Sequence, residues 1–338
     1  MIISGWRKRT QVLCKAGIML AIGSVALAIV HGLGPAVSGA AENEKVIRIG
    51  MIGLDTSHVV AFTQILNNPK NPGHVPGARV VAAFKGGSPD VKDSWGRVDK
   101  FTAELRDKWG VEIVDDIPTL CTKVDAVMLE SVDGRPHLEQ VRPVFAAKKP
   151  VFIDKPLAGS LADVKEIIRL SRESGVPFFC SSSYRFMKDL DRPDLGAVVG
   201  CDAYSPASLE PHHPDLFWYG IHGVEALFTV MGTGCVEASR VHTPGMDVVV
   251  GRWQDGRIGI FRGFRAGRAP NVVHVYREKG SYDVEGGNYG GLVKAVVEFF
   301  QTGKPPVSPE ESLEIYAFMD AADKSKAQGG KPVALDLK

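Results

Sequence analysis

The chain lacks a charge excess of either sign. Its 40 basic and 39 acidic residues create no field that would draw in nucleic acid. Cysteine is scarce: Cys14, Cys121, Cys180, Cys201 and Cys235 are all there is, and no two stand at C-x-x-C spacing, which removes the usual thiolate metal and redox motifs. Long apolar runs are absent except for Ala16 to Val30. That run follows a positive lead of Arg7, Lys8, Arg9 and Lys15 and precedes the small residues of "AVSGAAE". The layout is that of a signal peptide, residues 1–40, cleaved near Ala40 or Ala41. The run is shorter than the roughly 18 apolar residues that a membrane span needs. The arginines of "RKRTQVL" are not adjacent, so a twin-arginine leader is a poor match.

Losing that lead leaves 36 basic against 39 acidic residues, a mildly acidic chain without a membrane anchor. The expected location is exported, periplasmic or extracytoplasmic. An oxidising compartment permits disulfides, but a chain with 44% hydrophobic residues does not need them, and the four remaining cysteines read as buried free thiols.

A length of 338 residues suits two domains. Over 45–182, apolar strands alternate with amphipathic helices. "KVIRIGMIG", "ARVVAAF", "VEIV", "VDAVMLE", "PVFID" and "VPFFCSS" are the strands, and "VDKFTAELRDKWG" carries Phe101, Leu105 and Trp109 on one helical face. Ser160 caps a helix that Gly175 ends. Continuous apolar strands between such helices imply an α/β domain with a parallel sheet covered on both faces. Over 183–338 the pattern changes to α+β with a mostly antiparallel sheet. Asp255-Gly256 and Lys279-Gly280 mark hairpin turns. "DLFWYGIHGVEALFTVMG" reads as one helix, and Ser308 with Pro309 and Glu311 opens another through a capping box.

The first strand–turn–helix is where a dinucleotide-binding protein carries three glycines, and here Gly53, Asp55 and His58 take those places. A phosphate would rest on the helix amino end, near Thr56 and Ser57. An aspartate pointing there would repel it by about 1 kcal/mol in water and about 4 near a protein surface. A turn that caps itself with "DTS" and binds no phosphate is the alternative. At the end of the second strand, Lys85 replaces the usual ribose-binding acid and, with Ser88, would suit a 2′-phosphate. Lys155, closing "VFIDKPLAG" at a strand's carboxyl end, would project into the ligand crevice and donate to a substrate oxygen. Pro156 fixes that turn and is a candidate for a cis bond.

"FIDKPLAGSLADVKEII" resembles the Glu-Lys-Pro segment of the glucose-fructose oxidoreductase/inositol dehydrogenase/MocA (Gfo/Idh/MocA) family, with Asp154 in place of the glutamate. "VDAVMLESVDGRPHLEQVRPVFAAKKPVFIDKP" is similar to that family's fourth strand, its Pro136-His137 segment and the following helix. "SSSYRF" resembles its strand ending in Arg-Phe, and the residues from Tyr289 onward its closing helices. The resemblance implies a Rossmann domain, a substrate domain with an open antiparallel sheet and C-terminal helices packing back on the first domain. It further implies a tightly held NAD or NADP, a sugar or polyol substrate, and a homo-oligomer.

Cofactor contacts would fall on Gly53, Asp55, Thr56, Ser57, His58, Lys85, Ser88, Pro136, His137, Asp154 and Lys155. The resemblance makes Lys155 and His222 catalytic, with an aspartate four residues before the histidine; Trp218 holds that place. Glu225, three residues on, would share a helical face with His222 and could stand in. Arg185, Asp215, Trp218, Tyr219 and His222 are expected to seat the substrate. Two alternatives stand: a carbohydrate-binding protein without the redox step, and a metal-assisted lyase or hydrolase built on Glu210, His212, His213, Asp215 and His222. The spacings in that cluster fit no standard ligand pattern, so no metal is expected.

Overall fold

The computed structural model describes residues 46–338, and the signal-peptide reading of residues 1–40 lies outside them. Among the described residues, no helix is long and apolar enough to cross a membrane.

Six parallel strands form the first sheet: β1 (Ile47–Ile52), β2 (Ala78–Phe84), β3 (Glu112–Val114), β4 (Ala126–Leu129), β5 (Val151–Asp154) and β6 (Phe178–Ser181). Their order is β3-β2-β1-β4-β5-β6, so the chain reverses direction across the sheet between β1 and β4. Every residue of β4, β5 and β6 is buried, as apolar strands covered on both faces must be. The connecting helices are α1 (Ser57–Asn67), α2 (Lys92–Trp109), α3 (Ile117–Lys123), α4 (His137–Ala146) and α5 (Leu161–Ser174). Ser160 accepts from the Asp163 amide to start α5, and Gly175, at φ +67°, ends it in the left-handed conformation that glycine adopts without strain.

The second sheet has seven strands: β7 (Val198–Pro206), β8 (Cys235–Thr243), β9 (Met246–Trp253), β10 (Ile258–Phe264), β11 (Val272–Arg277), β12 (Gly280–Glu285) and β13 (Val333–Ala334). The order is β12-β11-β7-β10-β9-β8-β13, antiparallel except for the β7–β10 pair. Both expected hairpins form, β9–β10 around Asp255-Gly256 and β11–β12 around Lys279-Gly280.

The helix expected from Asp215 onward is two helices, α6 (Asp215–Trp218) and α7 (Ile221–Met231). The break falls at Tyr219-Gly220, where a Cβ on Gly220 would lie 3.1 Å from the Leu216 carbonyl. Two longer helices close the chain, α8 (Tyr289–Thr302) and α9 (Pro309–Ala327). Leu292, Val296 and Phe299 of α8 join the core formed by Ile49, Met51 and Phe62, so this helix returns to the first sheet. α9 packs between the domains, against α5, α7 and β8. In the second domain Phe228 packs against Trp253, tilted, and Phe318, edge-on, each with its ring centroid 5.4 Å away. Burying one such ring contributes about 1.5–3 kcal/mol.

Candidate active site

Gly53 makes the turn out of β1 at φ +83°, and Ser131 from the loop after β4 sits so close that a Cβ there would meet it at 2.2 Å. The backbone beyond β2 closes over the same turn: the Gly53 and Leu54 amides donate to the Phe84 and Lys85 carbonyls. Asp55 is fully buried. One carboxylate oxygen accepts from the Val132 amide at 2.9 Å, the other from the Ser94 hydroxyl at 2.6 Å. Burial raises its pKa, and these two bonds work against that rise. The side chain thus knits α2 to the β4 loop and does not line the cavity. Thr56 caps α1, and Thr56, Ser57 and His58 face a cavity of about 520 Å³.

Lys155, beyond the end of β5, lines that cavity from the first domain. Its peptide bond to Pro156 is cis, and its amide donates to Asp154 at 2.9 Å. Asp154 also holds His58, at 2.6 Å from Nδ1. Burial pushes the Asp154 carboxyl up, but His58 and Lys155 outweigh that and leave it below the usual range. Beside them Glu130, the residue after β4, is fully buried with no hydrogen-bond partner for either oxygen. Burial and the charge of Asp154 push its carboxyl well above the ordinary value.

His222, near the start of α7, faces the same cavity from the second domain. Its Nδ1 lies 2.7 Å from the Ser182 hydroxyl, and its ring packs between Tyr184 and Tyr219, at centroid distances of 5.0 and 4.9 Å. Burial, helped by the charges of Lys155 and His58, holds its pKa well below 6.5. Glu225 acts on the ring only through Ser182. It accepts from the Ser182 amide at 2.7 Å and from the Ser181 hydroxyl, fixing the segment that carries the partner of His222.

Several expected contacts are elsewhere. Arg185 is buried in ion pairs with Glu225 and Glu311, and these engage its guanidinium away from the cavity. Asp215 is taken by Arg240 and Lys326. Lys85 reaches out to Asp99, and the Ser88 amide donates to Ser94 Oγ; neither residue lines the cavity. His137 is enclosed behind Pro136, its ring nitrogens near the Ser131 and Leu157 carbonyls, so it braces the β4 loop. Trp218 and Tyr219 do line the cavity, together with Tyr184, Tyr289, Asn271 and Arg97, which the sequence pattern does not single out.

The five residues of the histidine-rich stretch do not converge. His213 bridges Glu210, 2.7 Å from its Nδ1, and Asp133, 3.0 Å from its Nε2, with the Gly134 backbone packed beside the ring. Arg135 forks onto Asp90 with two 2.8 Å bonds and also holds Asp133. This clasp ties the second domain to the loops after β2 and β4. A different group of metal-type donors, His58, Glu130 and Asp154, comes together on the crevice floor.

A parallel sheet ordered β3-β2-β1-β4-β5-β6, facing a second, open sheet across a polar cavity, defines a two-domain protein of the Rossmann type. Residues 47–182 match the model of the Gfo/Idh/MocA family, described as an oxidoreductase family with an NAD-binding Rossmann fold, and this domain belongs to that family. The fold is similar to a putative NADPH-dependent oxidoreductase from Desulfitobacterium hafniense (TM-score 0.69, 16% identity, 86% of this chain and 98% of that one). A probable dehydrogenase from Thermotoga maritima aligns at TM-score 0.68, with 22% identity over 85% of this chain and 98% of that one. The myo-inositol dehydrogenase from Lactobacillus casei, in complex with NAD(H) and myo-inositol, aligns at 0.66, with 15% identity over 86% and 97%. At these identities the likeness shows the fold. No curated protein sequence matches the chain.

The donor set fits the phosphates of such a dinucleotide. The first turn of α1 opens onto the cavity with Arg97 nearby, and the one carboxylate of the turn is buried away from it. The adenosine end is less well provided: Lys85 is turned to Asp99, and the Arg135–Asp90 bridge spans the two flanking loops.

Proposed function

We propose that the chain is an exported NAD(P)-dependent oxidoreductase, homo-oligomeric, acting on a sugar or polyol and retaining its cofactor. The observation that carries this is the meeting of Lys155 and His222, one from each domain, in a cavity that also receives the amino end of α1. Thr56, Ser57 and Arg97 would hold the phosphates, and the bound nicotinamide would supply the hydride acceptor.

The chain's own residues do the rest. The Lys155 ammonium donates to the carbinol oxygen and stabilises charge gathering there. His222 stays neutral, and with Nδ1–H given to Ser182 its Nε2 is the proton acceptor. Trp218 and Tyr219 offer ring faces to the C–H groups of the substrate. Outside the cytoplasm no nucleotide pool recharges an enzyme, so a retained cofactor would return its hydride within one cycle.

The test is to purify the mature chain, record its nicotinamide absorbance, and assay hydride transfer across a panel of sugars and polyols. Lys155→Met should lower turnover by about 10²–10⁴-fold. A protein that neither carries nor takes up NAD or NADP sinks the reading. Lys85, standing at the end of β2 where the ribose-binding acid would be, favours a second reading, a carbohydrate-binding protein without redox chemistry. It predicts sugar binding by calorimetry in nucleotide-free protein.

A further inference from the structure

Three donor groups reach one point from three neighbouring strand ends. His58 follows β1, Glu130 follows β4 and Asp154 ends β5, and these strands are adjacent at the place where the sheet's order reverses. One ligand atom from each lies within 4.8 Å of the others. All three residues are buried. His58 and Asp154 already bond to each other, but both oxygens of Glu130 go unmatched. Lys155 is near enough for its charge to act on Glu130 and Asp154, yet it makes no hydrogen bond to Glu130.

An unpartnered polar group in the interior costs about 1–3 kcal/mol, more when it is charged. A protein interior seldom tolerates this without something to fill the coordination. A divalent cation would supply it.

We propose that His58, Glu130 and Asp154 form a binding site for a divalent transition-metal ion. The two carboxylates offset a 2+ charge. One imidazole nitrogen with carboxylate oxygens and no thiolate suits Mn²⁺, Fe²⁺ or Zn²⁺ and disfavours soft ions. Three protein ligands leave coordination positions open, and His58, one of the three, borders the cavity, which gives a small molecule a route to the ion. Water, or two adjacent hydroxyls of a polyol, would complete the shell. The site depends on neither nicotinamide nor the redox reading, and its test measures binding alone.

The full chain is stripped with a chelator, dialysed, and titrated with Mn²⁺ and separately Zn²⁺ by calorimetry, with Co²⁺ absorption as a second readout. The expected result is one ion per chain and visible cobalt bands distinct from those of the hydrated ion. Glu130→Gln, nearly isosteric, should weaken binding at least tenfold, and His58→Gln likewise. His212→Ala, in the clasp, should leave binding unchanged. No saturable binding at millimolar metal overturns the proposal. So does binding that survives Glu130→Gln but is lost in His212→Ala, since it would place the ion on the Glu210 stretch. If either variant misfolds, the wild-type cobalt spectrum decides: bands identical to hydrated cobalt sink the site.

Discussion

Asp55 spends its charge inside the protein, on the Val132 amide and the Ser94 hydroxyl. Asp55→Ala leaves two buried donors unmatched at about 1–3 kcal/mol each. The urea midpoint should fall accordingly, and an unshifted midpoint would show that these bonds hold nothing together. His222 makes a pH prediction. Its folded pKa lies well below 6.5, whereas the unfolded chain takes up the proton near that value. Its stabilising contribution is therefore present above about pH 6.5 and lost as pH falls below it. Denaturant midpoints at pH 7.5 and 5.5 should diverge more for wild type than for His222→Asn. Lys155, His222, Trp218 and Tyr219 all line the cavity. Lys155 was legible in the sequence because a strand's carboxyl end places its side chain in the crevice, His222 because the family resemblance marks it, and Trp218 and Tyr219 because they are aromatic neighbours of that histidine. Arg185 and Asp215 were not, because their partners Glu311, Arg240 and Lys326 lie up to 126 residues away.

Elements carry the next layer. The strand series, both hairpin turns and the Ser160, Gly175 and Ser308 caps follow from local chemistry and appear as read. Glu311 completes only half of its capping box: its amide donates to Ser308, while its side chain leaves for Arg185. Glu130 is the corresponding omission, an acid closing an apolar strand whose burial only the packed sheet reveals. The clasp between the 131–135 and 209–213 loops depends on His213, whose side chain has no exposed surface. Burial works against ionised Asp133, yet His213 and Arg135 hold its carboxyl well below the usual range. His213→Ala should cost about 1–3 kcal/mol and weaken substrate binding, because the clasp helps bring the two halves of the cavity together. Unchanged thermal stability together with an unchanged KM would show the clasp to be idle.

For the whole molecule, the seven-stranded sheet sets the expectation. α7 and α9 pack on it, while Val241, Ile258 and Tyr276 remain exposed. Light scattering should return a mass above that of one chain, and Val241→Glu with Tyr276→Asp should lower it; a wild-type monomer would refute the oligomer. The cysteines carry another consequence. Cys121, Cys180, Cys201 and Cys235 are all buried and unbonded, the first two in one domain and the last two in the other. An alkylating reagent added to native protein reaches none of these four thiols until a domain opens. The order in which the two pairs become labelled in rising denaturant would therefore report which half of the molecule loosens first, with no engineered probe.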